Sequence, residues 1–173
     1  MIQNKDYREY VQQYKKLHSA GIGAFSGRSL LPHAWHIVEM VDKHQSKTIL
    51  DYGCGAGEQY SVLHLQDWFG IMPTLYDPGV EAFSAKPEGQ YDGVIVSDVM
   101  EHIPESAVQD VVADIVNYGR HWVFFSICCR EAKRILPNGK NAHCTIKTQQ
   151  WWTHQIKPLV KARGLEFRVE WSV

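Results

Sequence analysis

Residues 51–57 read Asp-Tyr-Gly-Cys-Gly-Ala-Gly, directly after the apolar run Thr48-Ile49-Leu50. Glycine loses more freedom on folding than any other residue, so three at alternate positions need a reason. One reason is a nucleotide-like ligand brought close to the main chain; the plainer one is a structural turn. Asp77 ends the next predicted strand, 20 residues beyond Gly57. A carboxylate there can accept both hydrogen bonds of a ribose diol. The second cluster able to do chemistry is Asp98-x-x-Glu101-His102. Carboxylates three apart on a helical first turn face one way, and with one or two imidazoles they suit a divalent cation. The plainer reading is that Glu101 and His102 hold the turn by hydrogen bonds.

Other groups have weaker claims. His33 and His36 flank Trp35 on a predicted helix and read as packed surface histidines. The alternative is that this helix lids the site, with the Gly21–Gly27 loop excluding water. Trp151-Trp152 reads as helix-to-sheet packing, the alternative being a wall for a flat substrate. Cys128-Cys129 closes a strand facing the cleft and reads as packing before nucleophile. Arg130, Lys133, Arg134 and Lys140 read as a solvated face, the alternative being a nucleic-acid patch.

The elements that must position these residues follow from periodicity. Tyr7, Tyr10, Val11 and Tyr14 recur at helical spacing over 6–17, and a second helix over 31–42 buries Ala34, Ile37, Val38 and Val41. A strand over 47–50 leads into the glycine turn, which opens a crossover helix over 58–69. Strands are expected at 72–76, 93–96, 121–127, 142–146 and 165–173, and helices at 107–117 and 150–162, the last capped by Gly164. Strands alternating with helices give an α/β fold with a mostly parallel sheet flanked by helices, and ligands of such sheets sit beyond the strand carboxyl ends.

The 173 residues carry 18 Lys and Arg against 19 Asp and Glu, a net charge of -1 that demands neither a nucleic acid nor an anionic membrane. Near-neutral charge favours a small-molecule substrate over a long polyanion, with nucleic acid left open. The four cysteines form no C-x-x-C pair and the opening MIQNKDYREYVQQYKK has no apolar core, so reduced thiols in a cytoplasmic protein are expected, without a membrane span. One domain is expected over 1–173, with 1–45 as a helical cap and 46–173 as the catalytic core, as monomer or homodimer.

The run Leu50 to Gly57 resembles the first signature of the class I S-adenosylmethionine-dependent methyltransferases, and Tyr76-Asp77-Pro78 resembles their second. The segment Tyr91 to Ile103, YDGVIVSDVMEHI, is similar to the stretch after strand four in one branch of that family. The resemblance implies a Rossmann-like fold, here with a shortened third strand and an incomplete C-terminal hairpin. It implies S-adenosylmethionine held by Asp51, Gly53, Gly55, Asp77, Pro78, Ser97 and Asp98, and methyl transfer to an oxygen of a small molecule. Related small-RNA and quinone-ring methyltransferases use an acidic pair followed by histidine, which implies a divalent metal on Asp98, Glu101, His102 and His143. Without a metal, His102 or His143 is the expected base. Two alternatives stay open: a metal-dependent 2′-O-methyltransferase of nucleic acid or nucleotides, and an inactive cofactor-binding partner docking through Trp35, Trp151 and Trp152.

Overall fold

The computed structural model describes residues 2–20 and 25–172. Five strands form one sheet in the order β2-β1-β3-β4-β5: β1 (Ile49–Tyr52), β2 (Thr74–Tyr76), β3 (Tyr91–Ser97), β4 (Gly119–Cys128) and β5 (Glu166–Ser172). Every neighbouring pair is parallel. The chain therefore steps from β1 to β2 on one side and returns to β3 on the other. That reversal opens a crevice at the carboxyl ends of β1 and β3, where ligands of such sheets bind.

Alternation along β4 builds a core on each face of the sheet. Trp122 and Phe124 pack with Ile49 and Ile95 beneath α2 (Ala34–His44) and α4 (Leu65–Phe69). Val123, Phe125 and Ile127 pack with Val94 and Val96 beneath α5 (Val108–Tyr118) and α6 (Gln149–Ala162). Helix α1 (Lys5–Ser19) lies instead over the carboxyl end of the sheet, where Tyr7, Tyr10, Val11 and Tyr14 line a cavity. Of the expected cap over 1–45, α1 and the segment 25–29 line the crevice, whereas the apolar face of α2 is consumed by the sheet. Helix α2 is therefore no lid, and Gly21–Ala24 of the expected water-excluding loop lie outside the described residues.

Two other expectations change. The single crossover helix over 58–69 is two, α3 (Glu58–Ser61) and α4, separated at His64, whose φ is 53°. The break lets Gln59 and Tyr60 turn toward Asp51 while Leu65 and Phe69 pack under α2. The strand expected over 142–146 is irregular chain, because its polar groups are drawn to the segment after β3: the Thr145 amide donates to the Glu101 carbonyl and its hydroxyl to that of Ile103. Only an isolated antiparallel bridge, Ile135 with Asn141, forms nearby. In line with the expected loss around the family's third strand and final hairpin, a 3-10 turn, Glu81–Phe83, lies between β2 and β3, and β5 runs parallel with no hairpin among the described residues. No helix among those residues is long and apolar enough to cross a membrane.

Trp35 and Trp152 cannot share a docking face. They belong to α2 and α6 on opposite sides of the sheet, and Trp152 is fully buried whereas Trp35 is 64% exposed.

Gly93 sits beside Trp122 in the parallel register, and a Cβ there would fall 2.0 Å from the indole ring. The indole N–H donates to Ser46 Oγ at 3.0 Å, which prevents the ring from swinging clear. Gly93→Ala should lower unfolding free energy by about 1–3 kcal/mol, the range for overpacking a filled core. Urea denaturation of the two proteins measures it.

Candidate functional site

The cavity at the crevice has a volume of about 270 Å³ and is walled by α1, the segment 25–29, the glycine turn, the end of β2 and the end of β3. Every backbone amide from Gly53 to Gln59 is taken by the protein itself. Gly53 and Cys54 donate to the Tyr76 carbonyl, and Gly57 to that of Cys54. Gly55 donates to Asp77 Oδ2 at 2.9 Å. Ala56, Glu58 and Gln59 donate to the carbonyls of Phe25, Ser26 and Gly27 at 2.9–3.0 Å.

The segment Phe25–Gly27 is thus strapped along the turn, and this explains two of the glycines. A Cβ on Gly55 would stand 2.9 Å from the Phe25 carbonyl oxygen, and one on Gly53 would meet Val99 at 2.3 Å. Both residues also have positive φ, 56° and 86°. Close approach by a ligand was the sequence-level reason for these glycines. The close approach in the structure is by the chain itself, and the turn leaves a ligand no free amide.

The expected cofactor residues divide. Gly53, Gly55, Asp77, Pro78, Ser97 and Asp98 line the cavity. Asp51 does not; it is buried under the turn, its Oδ2 accepting from Gln59 Nε2 at 2.5 Å and the Tyr60 hydroxyl at 2.8 Å. Burial pushes its carboxyl up to about 7 against those two hydrogen bonds. Asp77 accepts from the Gly79 amide on Oδ1 at 2.7 Å and from Gly55 on Oδ2. Each of its oxygens keeps acceptor capacity, because an ionised carboxylate offers about four sites. Burial raises the Asp77 carboxyl too, opposed by the Gly79 and Gly55 amides.

The expected four-residue metal set is not gathered. Asp98 has a φ of 53°, so the helical spacing that would align it with Glu101 is broken before the 3-10 turn at Met100–His102 begins. Its Oδ1 accepts from Ser126 Oγ at 3.0 Å, the end of a hydroxyl chain running through Ser97 to Ser29. His102 Nδ1 stands 3.0 Å from the Ala142 carbonyl oxygen, which can only accept, so this nitrogen carries the proton. The rings of Tyr14, Phe25 and His143 enclose His102, and this burial pushes its pKa down to about 3.

Glu101 is fully buried beneath the end of β4. Its Oε1 accepts from the Cys128 amide at 2.8 Å, while Oε2 has no hydrogen-bond partner among the described residues. Burial and the neighbouring Asp98 charge raise its carboxyl well above the usual range. Glu101 and His143 do stay together, but their companion is Cys128.

The aromatic wall was missed at the sequence level. The Tyr7, Tyr10, Val11, Tyr14 stripe reads as a helix by its spacing and was given no role in the site, yet Tyr10 and Tyr14 face the cavity with Phe25. Three tyrosines on one stripe were the available signal, since a hydroxyl-bearing stripe suits a wall better than a core. Trp151 and Trp152 lie outside the cavity, with Trp152 packed in the core, as the packing reading expects. In the basic stretch, the Arg134 guanidinium stacks on Phe25 at 4.7 Å and the Lys140 ammonium stands 5.8 Å from the Tyr10 ring.

A family model described as a methyltransferase domain matches residues 31–168. Ubiquinone biosynthesis O-methyltransferases of Escherichia fergusonii, Escherichia coli (strain K12 / DH10B) and Shigella boydii serotype 18 are each 29% identical to this chain over 152 residues. The alignments cover 75% of this chain and 63% of each relative, so the chain spans less than two thirds of their length.

Asp51 makes a pH-dependent prediction. The folded state keeps the proton up to about pH 7, whereas an unfolded aspartate releases it near pH 4. Stability from this group is therefore full below about pH 4 and declines as pH rises toward 7. Asp51→Asn, which cannot ionise, should gain on the wild type between pH 5 and pH 8. Urea unfolding of both proteins at the two pH values gives the difference.

Proposed function

This chain belongs to the methyltransferase-domain family, and from that premise we propose that it transfers the methyl group of S-adenosylmethionine to an oxygen of a small-molecule acceptor. The observation that carries the reading is Asp77. Its carboxylate ends β2 inside the cavity, fixed by two backbone amides with acceptor capacity to spare, as recognition of a ribose diol requires. The donor set fits that cofactor, which when bound supplies a methyl on a positively charged sulfur.

Each part of the chain has a stated task. Gly53, Gly55, Pro78, Ser97 and Asp98 contact the cofactor, and Asp51 supports the turn from below without touching it. Tyr10, Tyr14 and Phe25 exclude water and present a flat apolar wall, which suits a small planar acceptor better than a polyanion. His143 lines the cavity with Nδ1 held 2.6 Å from the Arg130 carbonyl, so its proton sits on Nδ1 and Nε2 keeps a lone pair. While that lone pair is not committed to a metal, His143 accepts the acceptor hydroxyl's proton. His102, with its pKa pushed far below neutrality, is a poor base and acts as a hydrogen-bonded brace between Tyr14 and Ala142. The relatives' name, O-methyltransferase, supports oxygen as the acceptor atom.

The test is calorimetric titration with S-adenosylhomocysteine. The wild type should bind, and Asp77→Ala should weaken binding about tenfold or more, since a hydrogen bond to a charged group contributes about 1.5–3 kcal/mol. Absence of binding by the wild type, or undiminished binding by a folded Asp77→Ala, would overturn the reading.

A further inference from the structure

Building on the methyl-transfer reading, we propose that Arg134 recognises an oxyanion carried by the acceptor, a carboxylate or phosphate group bound beside the aromatic wall of the cavity. Arg134 belongs to the basic stretch that composition alone reads as a solvated face. The structure places its guanidinium over the ring of Phe25, 4.7 Å from the centroid, and Phe25 lines the cavity.

The segment that carries Arg134 is fixed to the site. Ile135 and Asn141 form an antiparallel bridge, and the Leu136 amide donates to the Lys140 carbonyl at 2.8 Å. The Ala142 amide donates to the Arg134 carbonyl at 3.0 Å. The Ala142 carbonyl accepts in turn from the Tyr14 hydroxyl at 2.8 Å and from His102 Nδ1 at 3.0 Å. A small hairpin thus ties the backbone of Arg134 to two residues of the cavity wall.

What sets Arg134 apart is a charge without a partner. Its Nη1 is buried with no hydrogen-bond acceptor, and among the described residues no ion pair reaches it. A buried donor left unmatched is destabilising, more so when charged, and stacking on a ring replaces only part of the lost hydration. The other arginines show the two ordinary solutions. Arg28, Arg120 and Arg168 meet Glu58, Asp92 and Glu39, at 2.6, 3.5 and 2.8 Å. Arg8, Arg130 and Arg163 are exposed, where water satisfies them. Arg134 is half-buried and has neither a carboxylate nor full access to water.

Its charge is felt inside the cavity. Burial is the main cause of the lowered pKa of His18 and of His102, and the Arg134 charge adds to it in both. Both imidazoles line the cavity, so an anionic group among these rings lies in a positive field. Lys140, 5.8 Å from the Tyr10 ring, adds a second cation on the same wall.

The planar donor fork of a guanidinium matches two oxygens on one centre, as carboxylate and phosphate present them. A long polyanion fits less well. The net charge of the chain is -1, and Arg134 is recessed against a ring instead of lying in an exposed basic stripe. The acceptor is thereby a planar molecule with its hydroxyl toward His143 and its oxyanion toward Arg134. Arg134 selects it and takes no part in the chemistry.

The test is ligand-observed NMR of the full chain with benzoate, phenyl phosphate and uncharged benzamide, with and without S-adenosylhomocysteine. The wild type should bind one of the anions at least about tenfold more tightly than benzamide. Tighter binding of benzoate assigns a carboxylate, and tighter binding of phenyl phosphate assigns a phosphate. Arg134→Ala should abolish the preference, Arg134→Lys should restore part of it, and Lys133→Ala should leave it intact. Should Arg134→Ala fail to fold, Arg134→Gln, which keeps donors and loses the charge, carries the comparison. Every variant should bind S-adenosylhomocysteine as the wild type does, which a general loss of structure would not allow. A wild type without the anion preference, an undiminished preference in Arg134→Ala, or displacement of the anion by a short oligonucleotide would overturn the proposal. Failure of the wild type to bind S-adenosylhomocysteine instead overturns the methyl-transfer reading, and the probes measured without it still report on Arg134.

Discussion

The site depends on how the seven amides from Gly53 to Gln59 are satisfied. Buried amides must find acceptors, and here the acceptors come from two separate parts of the chain, the end of β2 (the Tyr76 carbonyl and the Asp77 carboxylate) and the carbonyls of residues 25–27, with only Gly57 bonding within the turn. Satisfying the turn therefore brings the end of β2 and the N-terminal segment together with β1. The cavity is the space those three leave beneath α1. The same bonding sets its chemical character, since the turn leaves a ligand no free amide.

A second constraint acts at the end of β3. Asp98 turns into the left-handed region, its amide donating to the Ser126 carbonyl and its carboxylate accepting from the Ser126 hydroxyl. The turn sends the two carboxylates of the segment to different places. Asp98 stays at the cavity wall, tied through Ser97 to Ser29 of the strap. Glu101 passes beneath β4, where it meets Cys128 and His143. One backbone torsion thus separates a polar wall from a buried donor cluster. The irregular chain around Ala142–Thr145 closes over both by bonding Tyr14, His102 and Glu101.

Much of the fold was legible because its signals are local. The near-continuous apolar runs of β3 and β4, the period of α5 and the glycine after α6 each report their own backbone state. The alternation of strand and helix then determines a parallel sheet. Glycines 53 and 55, followed by Asp77, were enough to locate the crevice. They could not reveal that the missing Cβ atoms are occupied by Val99 and the Phe25 carbonyl, because those contacts join residues about 46 and 30 positions apart.

The sequence by itself determined the sheet, the crevice and the carboxylate at the end of β2, since hydrophobic period and glycine placement act within a few residues. Tertiary structure alone decided which side chains share a site. Spacing put Asp98 with Glu101, yet a left-handed φ at Asp98 separated them. Spacing read the tyrosines of α1 as a helical stripe; the tertiary structure puts Tyr7 in the core and Tyr10 and Tyr14 on the cavity wall. Cys128 read as packing, yet the amide it donates to Glu101 places its thiol beside a buried carboxylate and an imidazole. Such groupings depend on where distant segments satisfy their polar atoms, and local sequence carries no record of that.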